Sequence, residues 1–171
     1  MTQVIENAFL SYGKEDAPVK VEVFLNLACP YCATFFQTAD ETLTPYLENG
    51  QVQYVVKHYD KPREMLLYGT LANAFLDYSD PQRVYQLMKD LFAKQNEWSE
   101  SDSHSIKRLL NEEYGLQEQP ENIDLSLKIT AEAIQRQVKM VPTVFVNGKE
   151  FQFPVELDAN SLKREVEEAF G

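Results

Sequence analysis

Cysteine is nearly absent from this chain of 171 residues: Cys29 and Cys32 are the only two, three positions apart, so a framework of structural disulfides is excluded. Positive charge is scarce as well. Sixteen Lys and Arg against 27 Asp and Glu leave a net charge of −11. Binding a polyanion depends on basic side chains displacing its counterions, so nucleic acid is not an expected partner. No stretch approaches the length of a membrane span, and no membrane partner is expected. Residues 1–7 have neither the basic start nor the apolar run of a secretion signal. The expectation is a cytoplasmic protein, or an extracytoplasmic one if a leader once preceded Met1. Histidine is limited to His58 and His104, far apart and in unrelated segments. A tetrahedral zinc site wants two further ligands near the cysteines, so no metal is expected, and nothing implies a cofactor. Repeats and low-complexity segments are also lacking.

The chain does have the material for a core. A hydrophobic content of 44% is enough to offset ordering entropy, and the length suits one domain over residues 1–171. Residues 19–27 place Val19, Val21, Val23, Leu25 and Leu27 on one face, the alternation of a strand. Phe35, Phe36, Ala39, Leu43 and Leu47 then recur near helical spacing up to Asn49-Gly50, with Pro45 expected to kink or shorten the helix. Val52, Tyr54 and Val56 mark a second strand. Strand, helix and strand in about forty residues predict a right-handed βαβ unit with parallel strands.

Residues 60–138 change to helical periodicity. Leu67, Leu71, Ala74, Phe75 and Tyr78 form one stripe, and Asp80-Pro81 opens a helix with Val84, Leu87, Met88 and Leu91 inward. Ser101-Asp102-Ser103 starts a third helix, ending at Tyr114-Gly115, and Leu127, Ala131, Ile134 and Val138 stripe a fourth. Trp98 is expected to pack this helical segment, and His104 to be exposed. Asn147-Gly148 between residues 143–146 and 149–153 calls for a two-residue hairpin turn. A closing helix over Leu162, Val166, Ala169 and Phe170 starts at Asp158 or Asn160. The fold class predicted is α/β: a thioredoxin fold, βαβ plus β-hairpin and closing helix, with an inserted helical subdomain. The core would be residues 15–60 and 139–171, and the insertion about 61–138.

Cys29-Pro30-Tyr31-Cys32 falls at the strand-to-helix turn. The first sulfur would lie beside unpaired N–H groups and the positive end of the helix dipole, which favours thiolate and makes Cys29 the nucleophile. Pro30 suits the first helical turn because it has no N–H to leave unbonded. One turn brings Cys32 within disulfide reach. The alternatives for the pair are half of a zinc site or plain core packing. Met140-Val141-Pro142-Thr143 leads into a strand, where proline fits either at the first residue in trans or in a cis turn.

The segment from Phe24 to Cys32, followed over a hundred residues later by Val141-Pro142-Thr143-Val144-Phe145-Val146-Asn147-Gly148, resembles the paired signature of DsbA-like thioredoxin-fold proteins. The resemblance covers nearly the whole chain. It implies a cis peptide before Pro142, a Val141 backbone that pairs with an extended substrate, and an apolar surface around Tyr31, Val141 and Pro142. Two positions depart from the pattern. The acidic residue often found six positions before the first cysteine is here Val23, and Glu22 faces the other way by alternation. Lys57 is then a candidate for moving a proton to or from Cys32, against the plainer expectation of a solvated strand-end lysine. Tyr31 stands where strongly oxidising members have histidine, so a less acidic Cys29 and a weaker oxidant are expected.

The function expected is thiol-disulfide exchange with disulfide- or thiol-containing proteins, peptides or small molecules. Its direction depends on a reduction potential that residue types do not give. A glutaredoxin-like reductase shares the Cys-Pro-Tyr-Cys motif, but the length and the helical insertion count against it. A non-redox binding module, an adaptor or holdase, would keep its function without the cysteines.

Overall fold

The structure is a computed structural model that describes residues 8–151 and 159–171. Strands β2 (Val19–Leu25) and β3 (Val52–His58) are parallel, in register from Val19 opposite Val52 to Leu25 opposite His58, and helix α1 (Pro30–Glu48) joins them. A short strand β1 (Leu10–Tyr12) lies antiparallel on the outer edge of β3. At three residues it is too brief to show a period. Further along the chain, β4 (Thr143–Val146) and β5 (Lys149–Phe151) complete the sheet in the order β1-β3-β2-β4-β5. Asn147 and Gly148 have φ of 49° and 81°, the left-handed pair that an Asn-Gly hairpin turn requires. Positions 152, 153 and 158, included in the expected strand and helix start, lie outside the described residues.

The strand alternation separates two packing faces. Val21, Val23, Leu25, Tyr54 and Val56 join the core shared with α1 and with the closing helix α7 (Ala159–Phe170), through Leu162 and Val166. Phe24 and Phe145 point to the opposite face, where they meet Ile129 and Ala133. Helix α1 runs through Pro45 to Glu48 instead of stopping there. Pro45 and Glu41 are both exposed, so the Glu41 carbonyl that loses its i+4 donor is on the water side of the helix.

Between β3 and β4 the described chain is helical. A 3₁₀ turn (Glu64–Leu66) leads into α2 (Leu67–Asn73). Its inward leucine is Leu66, while Leu67, assigned inward by periodicity, is 53% exposed. Asp80 caps α3 (Pro81–Ala93) by accepting from the Arg83 N–H, and Val84, Leu87, Met88 and Leu91 are buried as expected. Helix α4 (Gln95–Trp98) buries Trp98. Helix α5 (Ser103–Arg108), capped by Asp102 and carrying an exposed His104, continues as a π turn to Glu113.

Helix α6 (Asn122–Gln135) turns a different face inward from the one expected. Asn122, Leu125, Ile129 and Ala133 are buried, whereas Leu127 is 62% and Ile134 68% exposed. The helix carries two apolar stripes, and periodicity cannot choose between them. A buried anchor does: Asn122 Nδ2 donates to the carbonyls of Asn73 and Leu76 at 2.9 and 2.8 Å, which fixes the helix rotation.

Lys57 corrects a second expectation. It is not a solvated strand-end residue but is 4% exposed, opposite Phe24 on the α6 face of the sheet. Its Nζ lies 2.6 Å from a carboxylate oxygen of both Glu22 and Glu132, and Arg136 Nη1 reaches the same two oxygens at 2.9 Å. Burial alone would raise the Glu22 carboxyl. The hydrogen bonds and charges of Arg136 and Lys57 outweigh it and hold Glu22 at about 2.

Because the folded protein binds the Glu22 proton less tightly than the unfolded chain, this contribution is complete above the ordinary carboxylate range. It is lost as pH falls from 4.5 towards about 2. Glu22→Gln is expected to lower stability at pH 7 by about 3 kcal/mol and to flatten the acid limb of stability measured by denaturant titration. An acid limb as steep as that of the unaltered protein would refute this.

Candidate redox site

Cys29 is the N-cap of α1 and Pro30 its first residue. That position leaves the first backbone donors of the helix free to face the Cys29 sulfur. The N–H of Cys32 donates to Cys29 Sγ at 3.4 Å, and Sγ lies 3.6 Å from the carbonyl oxygen of Val141. The Val141–Pro142 peptide is cis, as the resemblance implies. The start of β4 is thus brought against the cysteine turn across 112 residues of sequence. Both cysteines are free thiols.

The two sulfurs are made unequal by their surroundings. For Cys29 the largest influence is the hydrogen bond from the Cys32 side chain. Burial opposes it, the N–H groups of Cys32 and Tyr31 and the charge of Arg63 add to it, and the thiol is brought down to about 7. Cys32 is fully buried, which pushes its thiol well above the usual range, and the adjacent Cys29 raises it further. The backbone N–H of Asn26, 3.4 Å from Cys32 Sγ, works against that rise.

The other expected residues surround this pair. Pro30 is exposed, Tyr31 is 62% exposed beside the sulfur, and Val141 and Pro142 are half-buried. Val23, where a carboxylate was looked for, is fully buried in the core. Lys57 does not join them, since its ammonium is held by Glu22 and Glu132 on the opposite face of the sheet. His58 is buried, and burial drives its imidazole down to about 3. A cavity of about 800 Å³ lined by Tyr12, Asp40, Tyr85 and Lys89 contains none of the turn residues.

Three residues escaped the sequence reading. Asn26 Oδ1 accepts from the Ala28 N–H at 2.8 Å, and its Nδ2 donates to the Leu66 carbonyl at 3.3 Å, tying the turn to the segment after β3. Gly69 of α2 makes room for that side chain: a Cβ there would lie 1.8 Å from Asn26 Oδ1 and 2.7 Å from Ala28 N. Gln95 of α4 donates to the carbonyls of Leu27 and Cys29. Apart from the local bond between Asn26 and Ala28, these contacts span 40 residues or more, so local pattern does not mark them.

A close pair of unequal sulfurs at a helix start, faced by a cis-proline, defines a thioredoxin-type dithiol centre. A family model described as thioredoxin matches residues 7–166, and the chain belongs to that family. It is similar to the thiol:disulfide interchange protein DsbG of Escherichia coli (strain K12), with 34% identity over 88 residues, 47% of this chain and 30% of DsbG. The chain therefore aligns with less than a third of that relative's length. A conserved protein of unknown function from Enterococcus faecalis V583 superposes with a TM-score of 0.85 at 29% identity, covering 92% of this chain and 89% of its own. A periplasmic thioredoxin-like protein from Salmonella enterica serovar Typhimurium shares the fold at a TM-score of 0.69 and 17% identity, covering 95% and 90%.

These comparisons overturn the expectation of a cytoplasmic protein. The Salmonella neighbour is described as periplasmic. Composition and core patterning do not record the compartment of a protein.

Two measurements check the site. The alkylation rate at Cys29 is expected to rise with a midpoint near pH 7, where Cys29 is placed, and Cys32→Ala should move that midpoint upward by removing the thiol donor. A midpoint unchanged by Cys32→Ala would show that the Cys32 hydrogen bond is not the main influence. Gly69→Ala should destabilise the protein by about 2 kcal/mol in denaturant, since Asn26 or α2 must shift. An unaltered denaturation midpoint would contradict the close approach.

Proposed function

We propose that this protein is a thiol-disulfide oxidoreductase that exchanges disulfides with protein or peptide substrates through Cys29 and Cys32, with Val141 and Pro142 holding the substrate strand. The asymmetry of the two thiols, one brought down to about 7 and the other covered and pushed up, is the observation that carries this reading. Residues 15–60 and 139–171 would carry the chemistry, and residues 61–138 would support it as part of the same unit.

In the reductive direction the Cys29 thiolate attacks one sulfur of a substrate disulfide. The S–S bond breaks, a mixed disulfide forms, and the departing sulfur leaves as a thiolate that takes a proton from water. Cys32 then gives up its proton and its sulfur attacks Cys29 Sγ. This closes the Cys29–Cys32 disulfide and releases the second substrate sulfur as a thiol. Two electrons pass from the Cys29/Cys32 pair to the substrate, and oxidation of a substrate dithiol runs the same steps backwards. An extended substrate backbone is expected to pair beside Val141 in the manner of an added strand, with exposed Tyr31 and Met140 offering apolar contact.

The test is equilibration in glutathione buffers together with insulin reduction and refolding of a reduced substrate. The unaltered protein is expected to switch between dithiol and disulfide at a potential more negative than the roughly −120 mV of the strong oxidant DsbA, because Tyr31 adds no positive charge next to Cys29. Cys29→Ser is expected to abolish both activities. Absence of any redox change in the pair would overturn the proposal, and a protein that binds its clients equally well as Cys29→Ser/Cys32→Ser would be a binding module instead.

A further inference from the structure

Gln95 opens α4 and is 6% exposed, although glutamine side chains mostly remain in water. Its Nε2 donates to the carbonyl oxygen of Leu27 at 2.8 Å and to that of Cys29 at 2.9 Å. Both N–H groups of one amide are therefore committed to the turn that carries the nucleophile, from a helix 66 residues further along the chain. The Cys29 carbonyl also receives the Ala33 N–H of α1 at 3.1 Å, so it accepts from the helix and from Gln95 together.

The location gives these bonds a chemical consequence. Carbonyl oxygens carry partial negative charge, and those of Leu27 and Cys29 belong to the same turn as a sulfur that must hold a full negative charge. In a buried, weakly screened site, a donor on each oxygen offsets that repulsion and keeps the oxygens from turning towards the sulfur. The Cys29 carbonyl belongs to the N-cap itself, and the Leu27 carbonyl lies two residues before it. Fixing both sets the direction in which Cys29 Sγ leaves the backbone, between the N–H of Cys32 and the carbonyl of Val141.

We propose that Gln95 is a positioning residue for the redox turn, through which the helical segment holds the Leu27 and Cys29 carbonyls and thereby favours the thiolate form of Cys29. The inference rests on the dithiol exchange proposed above. It makes the helical segment a tuner of the reduction potential as well as a cover. A stabilised thiolate stabilises the reduced protein, so loss of Gln95 favours the disulfide form.

The experiment uses the full chain with Gln95→Met, which keeps the length without the donors, and Gln95→Glu, which keeps the shape but replaces donors by a carboxylate. Thiolate absorbance against pH and the dithiol/disulfide ratio in glutathione buffer at pH 7 are measured for each. Val84→Ala, a cavity in buried α3 of the same segment, controls for stability loss. Gln95→Met is expected to raise the Cys29 titration midpoint and shift the equilibrium at least threefold towards the disulfide, with a larger effect in Gln95→Glu and none in Val84→Ala. If both Gln95 variants lose stability while midpoint and equilibrium stay at the unaltered values, Gln95 is a structural clamp and the inference fails. If the unaltered protein shows no change between dithiol and disulfide in glutathione buffer, the dithiol reading fails and takes the inference with it.

Discussion

A sulfur that is to carry negative charge inside a folded protein needs donors where the backbone would ordinarily supply none. The start of α1 meets that requirement, because its first N–H groups have no helical carbonyl to bond and Cys29 is the residue they face. The rest of the molecule is arranged around delivering that helix end. Parallel pairing of β2 and β3 aims α1 across the sheet, and antiparallel pairing of β2 with β4 brings Val141 beside the sulfur. Asn26, bonded to the Leu66 carbonyl in space left by Gly69, and Gln95 then tie the turn to the helical segment. The centre is built from backbone groups far more than from charged side chains.

What local chemistry determines was legible in the sequence. The alternation of Val19 to Leu25, Asp80-Pro81 at a helix start and Asn147-Gly148 at a hairpin each describe neighbours in the chain, and the structure follows them. The cysteine motif and the distant Val141-Pro142 could be joined only through a family resemblance, and the geometry brings them within 3.6 Å. The rotation of α6 was not legible, because Ile123, Leu127 and Ile134 form as good an apolar stripe as the one that is buried. Lys57 was misjudged for a related reason: its partners Glu22 and Glu132 lie on β2 and α6, far from it along the chain, and a lysine without visible partners looks solvated. Compartment was beyond the folded chain altogether.

The sheet also keeps two kinds of electrostatics apart. On the α6 face, two acids and two bases neutralise one another next to Phe24 and Phe145, with the Arg136 guanidinium 4.0 Å from the Phe145 ring centre. On the α1 face, Val21, Val23, Leu25, Tyr54 and Val56 belong to the same buried apolar cluster as the two cysteines. Val23, where a carboxylate was looked for, adds only apolar surface to that face.

The burial of Cys32 can be read as a clock. Under the exchange proposed above, a substrate caught on Cys29 would be held one helical turn from the sulfur that releases it. Its release would then require a covered thiol, pushed above its ordinary range, to lose its proton. The dwell time of the covalent pair would thereby depend on the packing beneath α1 as well as on the partner's own leaving sulfur.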